Sequence, residues 1–250
     1  MLIEESIRLK KPEYSIIAVY YDKLMSHVNY KSWANYIDVV CCDLMNEKCK
    51  ILEVAAGTGK FGAHLSKKYP NYILSDLSLE MLQVGKSKYE LKSVASDMMN
   101  LSFKDSSFDT VICLYDSINY ILKNKDLSQT FSEISRVLKE DGLFVFDCCL
   151  MKGSLEHAEQ EYREEFFRNG KIKQRSFIID SKKIHVNSFE ISKNDVIIAT
   201  ETHRQKIYSL ETFEKLLLVN SFEMIYCLED FSFEDATENS LRAHIIARKK

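Results

Sequence analysis

Proline is nearly missing from this chain of 250 residues, which holds two prolines, seven glycines and one tryptophan. So little punctuation excludes a collagen-like or proline-rich chain and gives little sign of a flexible linker. Long hydrophobic runs are missing too. Apolar stretches such as Val111-Ile112-Cys113-Leu114-Tyr115 are strand-sized, far short of the roughly 18 residues that would suggest a membrane span. Neither charge sign dominates: 34 Lys and Arg stand against 37 Asp and Glu, a net charge of -3. With no basic stripe to neutralise a phosphate backbone, no nucleic-acid partner is expected. Cysteine is present, at 41, 42, 49, 113, 148, 149 and 227, but never in CxxC spacing. Reduced, mostly buried thiols are the simplest account, and no metal site is expected. The first five residues, Met1-Leu2-Ile3-Glu4-Glu5, carry acids where an export signal needs a basic start, so a cytoplasmic protein without a membrane partner is expected.

What is present is an ordinary globular composition, 46% hydrophobic and 28% charged, in a length that suits one core with an insertion. Residues 14–45 show aromatic and aliphatic side chains at helical spacing, through Tyr20, Leu24, Tyr30, Trp33 and Ile37. Strand and helix patterns then alternate: strands at 51–54, 72–75, 91–95, 110–114 and 143–147, with helices at 60–69, 79–87 and 127–138. Such alternation predicts parallel strands with right-handed crossovers, an open doubly wound α/β sheet. After Leu150 the period changes to two over 171–180, 183–191 and 195–208, which predicts an antiparallel meander. A helix at 209–219 and strands at 223–228 and 243–248 complete the main sheet, giving seven strands. One domain over 1–250 is expected, with a helical cover at 1–45 and the inserted meander at 151–207.

The densest chemical signal is Glu53-Val54-Ala55-Ala56-Gly57-Thr58-Gly59-Lys60-Phe61-Gly62, where a strand turns tightly into a helix. Glycines there let the backbone approach a cofactor, and the helix start offers free N–H groups. Gly57, Gly59 and Gly62 satisfy G-x-G-x-x-G, a pattern that a purely structural turn can also satisfy. Asp76, ending the next strand, can accept both hydroxyls of a ribose, although Asp76-Leu77-Ser78 also reads as a helix start with Ser78 as its cap. Glu53 separates two classes of nucleotide enzyme, because an acid before the turn suits the amine of a methionine tail and is awkward beside a pyrophosphate. No Tyr is followed four residues later by Lys, which weakens a short-chain dehydrogenase reading.

With these motifs in order, the chain resembles the class I S-adenosylmethionine (SAM)-dependent methyltransferases over nearly its full length. Residues 51–59 are similar to the family's first motif, and 75–82 to its ribose segment. Ala95-Ser96-Asp97-Met98-Met99-Asn100-Leu101 is similar to its third-strand motif, and 108–114 and 137–143 to its fourth and fifth. The resemblance implies a Rossmann-like fold, SAM as cofactor and S-adenosylhomocysteine as product. It also implies cofactor contacts from Asp97 to the adenine amine and from Met98 through its backbone, and adds Leu77, Met81, Leu114 and Asn119 to Glu53, Gly57, Gly59 and Asp76. Ala55 stands where the family usually has its first glycine, and fits if its φ is negative. The segments around Tyr20-Tyr21-Asp22, Tyr30-Lys31-Ser32-Trp33 and Asp116-Ser117-Ile118-Asn119-Tyr120 resemble a small-molecule branch that includes the amino-sugar N,N-dimethyltransferases.

That branch implies a small-molecule acceptor methylated at nitrogen or oxygen by a monomer or homodimer. Tyr21, Tyr30 and Trp33 are candidates for gripping the sulfonium and the acceptor. An amine acceptor must lose a proton, for which Asp116, His185 and His203 are available; Asp116, following the fourth strand at the carboxyl edge, is the best placed. Asp116 and His203 are the catalytic candidates, and Arg204 and Arg242 could hold an anionic acceptor group. Two alternatives stay open: a SAM-binding protein or enzyme that does not methylate, and an NAD-dependent oxidoreductase.

Overall fold

The computed structural model describes residues 13–14, 16–160 and 162–250. Period-two sequence patterns become strands whose alternate side chains enter two separate cores. The main sheet holds β1 (Ile51–Glu53), β2 (Tyr72–Asp76), β3 (Lys92–Ala95), β4 (Phe108–Cys113), β5 (Leu138–Cys149), β10 (Phe222–Glu229) and β11 (Arg242–Lys249). Its order is β10-β11-β5-β4-β1-β2-β3. Strands β1 to β5 pair in parallel, while β11 runs antiparallel to both β5 and β10. The doubly wound, seven-stranded, mostly parallel sheet is thus observed.

On one face Leu52, Val111, Phe144 and Phe146 pack with Leu127, Phe131 and Ile134 of α5 (Asn124–Val137) and Phe213 and Leu217 of α7 (Leu210–Val219). On the other face their chain neighbours Ile51, Ile112 and Val145 pack with α2 (Tyr30–Val40), α3 (Gly62–Leu65) and Leu82 of α4 (Leu79–Lys86). Strand β5 is longer than the expected 143–147, and α3 is one short turn where a helix over 60–69 is expected.

The insert forms a second sheet of four antiparallel strands, β6 (Tyr162–Phe167), β7 (Gly170–Ile179), β8 (Ile184–Lys193) and β9 (Val196–Lys206). Two features depart from the expected meander. It begins with a helix, α6 (Met151–Glu159), and it has one strand more, β6. That strand, Tyr-Arg-Glu-Glu-Phe-Phe, has no buried position, so it lacks the apolar alternation by which a half-buried strand is read.

The helical cover also divides. Trp33, Tyr36 and Ile37 of α2 are buried in the core on the main sheet, which makes α2 scaffold. Helix α1 (Ala18–Leu24) belongs elsewhere: Ile17 and Leu24 pack on Ile172, Phe189 and Ile191 of the meander. Residues 1–12 of the expected cover lie outside the described residues. Among the described residues, no helix is long and apolar enough to cross a membrane.

Candidate functional site

Between β1 and α3 the backbone takes left-handed φ at Ala55 (+51°), Gly57 (+57°) and Gly59 (+73°). Ala55 thus fits with positive φ, contrary to the expectation; its neighbours' hydrogen bonds, such as Ala56 N–H to Ser75 O at 2.9 Å, hold the turn against a cost of about 1 kcal/mol. The glycines are required for more than φ. A Cβ on Gly59 would lie 2.4 Å from Leu74 Cδ1, and one on Gly62 would lie 2.6 Å from Glu53 Oε2.

Asp76 closes this turn from the neighbouring strand. Its Oδ2 accepts the Gly57 N–H at 2.7 Å and its Oδ1 the Ser78 N–H at 2.8 Å, while Ser78 Oγ caps α4 by accepting from Met81 N–H. The cap and the carboxylate are therefore different residues. Burial raises the Asp76 carboxyl above its ordinary range, opposed by those backbone N–H groups. Glu53 at the end of β1 is fully buried and accepts from the Tyr72 hydroxyl at 2.9 Å. Burial pushes its carboxyl up to about 8, against the Tyr72 hydrogen bond and with the help of the Asp76 charge; Lys60, which lines the same small cavity and lies over the Tyr30 ring, does not offset the desolvation.

Tyr21, Tyr30, Glu53, Ala55, Gly57 and Leu114 come together around a cavity of about 30 Å³ over the turn, with Met81 Cε beneath Gly57. Further along the carboxyl edge, Leu77 is 60% exposed beside Asp76. Asp97 and Met98 follow β3; Asp97 accepts the Met99 N–H at 2.8 Å and Met98 leans on the core. Asn119 is not brought to either cavity. It is 1% exposed, its Nδ2 donates to Cys149 O and Lys206 O, and its Oδ1 accepts the Cys149 N–H. This amide, spent on backbone groups of β5 and β9, ties the turn after β4 to both sheets.

A second cavity of about 400 Å³ adjoins the first through Tyr21 and Tyr115, which line both. Trp33, Tyr115, Asp116 and Arg242 form its wall on the main sheet, and Gln174, Ser176, Asn187 and Gln205 present polar groups from the meander. Trp33 stacks on Tyr115 at 4.3 Å. Asp116 accepts from Arg242 at 2.9 Å and from Gln205 Nε2. Burial alone would raise its carboxyl, but the Arg242 charge and these hydrogen bonds outweigh that and hold it below the ordinary range.

His203 does not line this cavity. It is 1% exposed, with Nδ1 on the Tyr120 hydroxyl at 3.1 Å and Nε2 on Glu201 at 2.7 Å, so both nitrogens are engaged behind Tyr14 and Tyr120. His185 does line it, but burial pushes its imidazole down to about 4 and its Nε2 meets Ser176 Oγ at 2.5 Å. Arg204 is exposed and points away from the cavity that Arg242 lines.

Sequence reasoning missed Tyr115, Gln205 and Tyr14. Gln205 left no signal in the sequence: it stands between Arg204 and Lys206, and only the strand's placement buries His203 and Gln205 and leaves Arg204 exposed.

Helix α1 lies over the glycine turn through polar links. The Asp22 carboxylate accepts from Thr58 Oγ1 at 2.6 Å and from Lys88 Nζ at 2.5 Å. At its other end, Glu201 of β9 accepts the N–H groups of Tyr14, Ile16 and Ile17.

Residues 51–142 match a family described as a methyltransferase domain. YqeM of Bacillus subtilis, named as a provisional methyltransferase, is 29% identical over 248 residues, covering 94% of this chain and 97% of its own. The crystal structure of a SAM-dependent methyltransferase from Clostridium acetobutylicum superposes with a TM-score of 0.78 at 25% identity, covering 94% of this chain and 98% of that one. The sugar N-methyltransferase KedS8 from Streptoalloteichus shares the fold, with a TM-score of 0.76 at 16% identity and coverage of 100% and 98%. With the glycine turn, the acid at the end of β2 and the β10-β11-β5-β4-β1-β2-β3 order, these matches show a SAM-dependent methyltransferase with the class I fold.

Proposed function

We propose that this methyltransferase acts on a nitrogen or oxygen of a small, polar acceptor held in the 400 Å³ cavity. The observation that carries this reading is the junction of the two cavities at Tyr21 and Tyr115: a wall of aromatic rings separates a cofactor-type turn from a pocket lined by amides and hydroxyls. A pocket of that size and lining suits a sugar-sized molecule. It is closed by the meander and α1, which leaves little room for a protein or nucleic acid. The fold shared with KedS8 supports the same acceptor class.

The residues at the turn fit SAM. Glu53, a buried acid, suits the ammonium of its methionine end. Asp76 keeps lone pairs beyond its two backbone hydrogen bonds for the ribose hydroxyls. The exposed Leu77 offers an apolar face to adenine, while Asp97 and Met98 stand one strand further on for its polar edge. Bound there, SAM supplies an electrophilic methyl group on a sulfonium. Everything else is positioning: nucleophile, methyl and sulfur must be collinear with water excluded.

Tyr21 and Trp33 face the acceptor side, where aromatic faces favour positive charge. Asp116, kept ionised by Arg242, orients the acceptor by accepting a hydrogen bond from its amine or hydroxyl. The proton shed on methylation passes to solvent, since His203 has both nitrogens engaged and burial pushes the His185 imidazole down to about 4. Helix α1, joined to the glycine turn through Asp22 and packed on the meander through Ile17 and Leu24, opens to pass reactants and closes for the transfer.

The test is turnover. The protein is incubated with SAM and, separately, amino-sugar nucleotides, small primary amines, hydroxylated small molecules, a quinol, transfer RNA and denatured protein, and S-adenosylhomocysteine is quantified. Product with an amine or hydroxylated small molecule supports the reading. Product only with the quinol, the RNA or the protein sinks it.

A further inference from the structure

Immediately after β4 the backbone does something unusual for its sequence. Tyr115 and Asp116 take left-handed φ in succession, +61° and +47°, and neither is a glycine or asparagine. Consecutive left-handed residues with side chains persist only where their surroundings over-determine them.

The surroundings here do so at Asp116. Its N–H donates to Asp147 Oδ2 of β5 at 3.1 Å, and its carbonyl accepts from Gln205 Nε2 of β9 at 3.4 Å. One carboxylate oxygen accepts from the same Gln205 amide, and the other from Arg242 NH2 at 2.9 Å. Arg242, at the start of β11, donates through NH1 to Asp147, a side chain of 0% exposure. The guanidinium also lies 5.3 Å from the Trp33 ring centre, and Trp33 stacks on Tyr115 with only 24° between planes. One cation between two carboxylates leaves this cluster with one net negative charge. Such a cluster repels an anion, and Arg242 has both terminal nitrogens already donating, so it is poorly suited to hold an acceptor phosphate or carboxylate. A bidentate guanidinium in a buried network is instead a rigid spacer.

We propose that Arg242, seated on buried Asp147, is a positioning residue for methyl transfer: it locks the left-handed Tyr115-Asp116 turn so that the Asp116 carboxylate faces the acceptor and the Tyr115 ring lies on Trp33. This rests on the reading of Asp116 as the residue that orients the acceptor. Without Arg242, two buried carboxylates would face each other with no cation between them, and the turn would relax.

Trp33 is the only tryptophan and touches both Tyr115 and Arg242, so its emission reports the lock directly. The titratable groups around Asp116 are Arg242 and Asp147, the histidines His157 of α6 and His185 of β8, the hydroxyls of Tyr14, Tyr21, Tyr115 and Tyr120, and the buried thiols of Cys113, Cys148 and Cys149, all three raised by burial. Burial raises all four tyrosines and pushes the His185 imidazole down to about 4. His27 also lines the cavity, and His244 of β11 meets the Trp33 ring at 5.2 Å with its imidazole pushed down to about 3 by burial and by the Arg242 charge; a background of His27→Gln, His157→Gln and His244→Gln removes these three histidines from the readout.

In that background, Trp33 emission is followed from about pH 5 to about pH 8, the range where a displaced carboxyl would titrate. With Arg242 present the profile stays flat. In Arg242→Gln, Asp116 takes up a proton within the range, its midpoint about one pH unit or more above that of the parent, and Asp116→Asn abolishes the step. Arg242→Lys, which keeps a cation but cannot span both carboxylates, shows a smaller step and decides the matter if Arg242→Gln does not fold. Affinity for S-adenosylhomocysteine, measured by calorimetry, stays within about twofold, because the glycine turn is untouched. A profile that overlays the parent in whichever variant folds overturns the proposal. Asp116→Asn that turns over the acceptor found in the screen as fast as wild type sinks the reading of Asp116 instead, and leaves the optical result standing.

Discussion

Glu53 and Asp116 stand at the ends of neighbouring parallel strands, both buried, yet their surroundings drive them in opposite directions. Glu53 has a tyrosine hydroxyl and another acid for company, so desolvation wins and the carboxyl is pushed up to about 8. Asp116 meets Arg242 and Gln205, and charge and hydrogen bonding win over the same desolvation. One side of the carboxyl edge thus holds a buried acid whose ionised form a nearby cation would favour, while the other carries its own cation and keeps a permanent negative charge. The difference follows from how each was assembled. The turn around Glu53 is built from β1, β2 and α4, close in sequence, whereas Asp116 is fixed by β5, β9 and β11.

The sharpest way to break this comparison is Asp116→Ala. Turnover of the acceptor should fall about 100-fold or more, while S-adenosylhomocysteine affinity, read by calorimetry, stays close to wild type. An equal loss of both would mean that the two sides are not separate.

Asp76→Ala should act on the opposite side. Removing the acceptor of the Gly57 and Ser78 N–H groups costs about 2–4 kcal/mol of stability by denaturant unfolding. Cofactor affinity should fall at least about tenfold for the lost ribose contact. A stability loss with unchanged affinity would leave Asp76 as a turn residue only.

Glu53 gives a pH signature. A carboxyl raised in the folded state binds its proton more tightly there than when unfolded, so its stabilising effect is complete at low pH, below the unfolded value. It is lost as pH rises toward the folded value of about 8. The melting temperature of the ligand-free protein should therefore decline from about pH 5 to pH 8, and Glu53→Gln should flatten that slope by an amount equivalent to about 1–3 kcal/mol. Because an ammonium beside Glu53 favours its ionised form, SAM binding near neutrality should release close to one proton, measured by calorimetry in buffers of different ionisation enthalpy. No proton release would place the ammonium elsewhere.

The smallest effect belongs to Ala55→Gly. Relief of the +51° φ and the greater freedom of the unfolded chain oppose each other, so stability should change by less than about 1 kcal/mol. A larger gain would identify the left-handed alanine as a real source of strain.

The cofactor side was legible because its residues are local. Glu53, Gly57, Gly59 and Asp76 fall within 24 positions of one another, and a turn with three left-handed residues needs small side chains in that order. The sign of φ at Ala55 was not legible, since alanine tolerates both regions at modest cost and only the Ala56 and Gly57 hydrogen bonds decide between them. Asp116 was visible at a strand end, but Asn119 was a cofactor contact that only the resemblance implied, and His203 was a candidate by residue type. Their side chains are consumed by partners 30 to 87 and 2 to 83 positions away, and such pairings have no local trace. Strand β6 escaped because its faces are both half-solvated.

Sequence alone determined the alternation of strands and helices, the seven-stranded sheet and the cofactor turn, because periodicity and glycine placement are properties of neighbouring residues. Tertiary structure decided what lines the 400 Å³ cavity. It withdrew His203 and Asn119, brought Gln205 and Arg242 onto Asp116, and split the N-terminal helices into the scaffold α2 and the cover α1. Those outcomes depend on which distant groups meet in a buried space, where a single guanidinium reverses the effect of desolvation on a carboxyl.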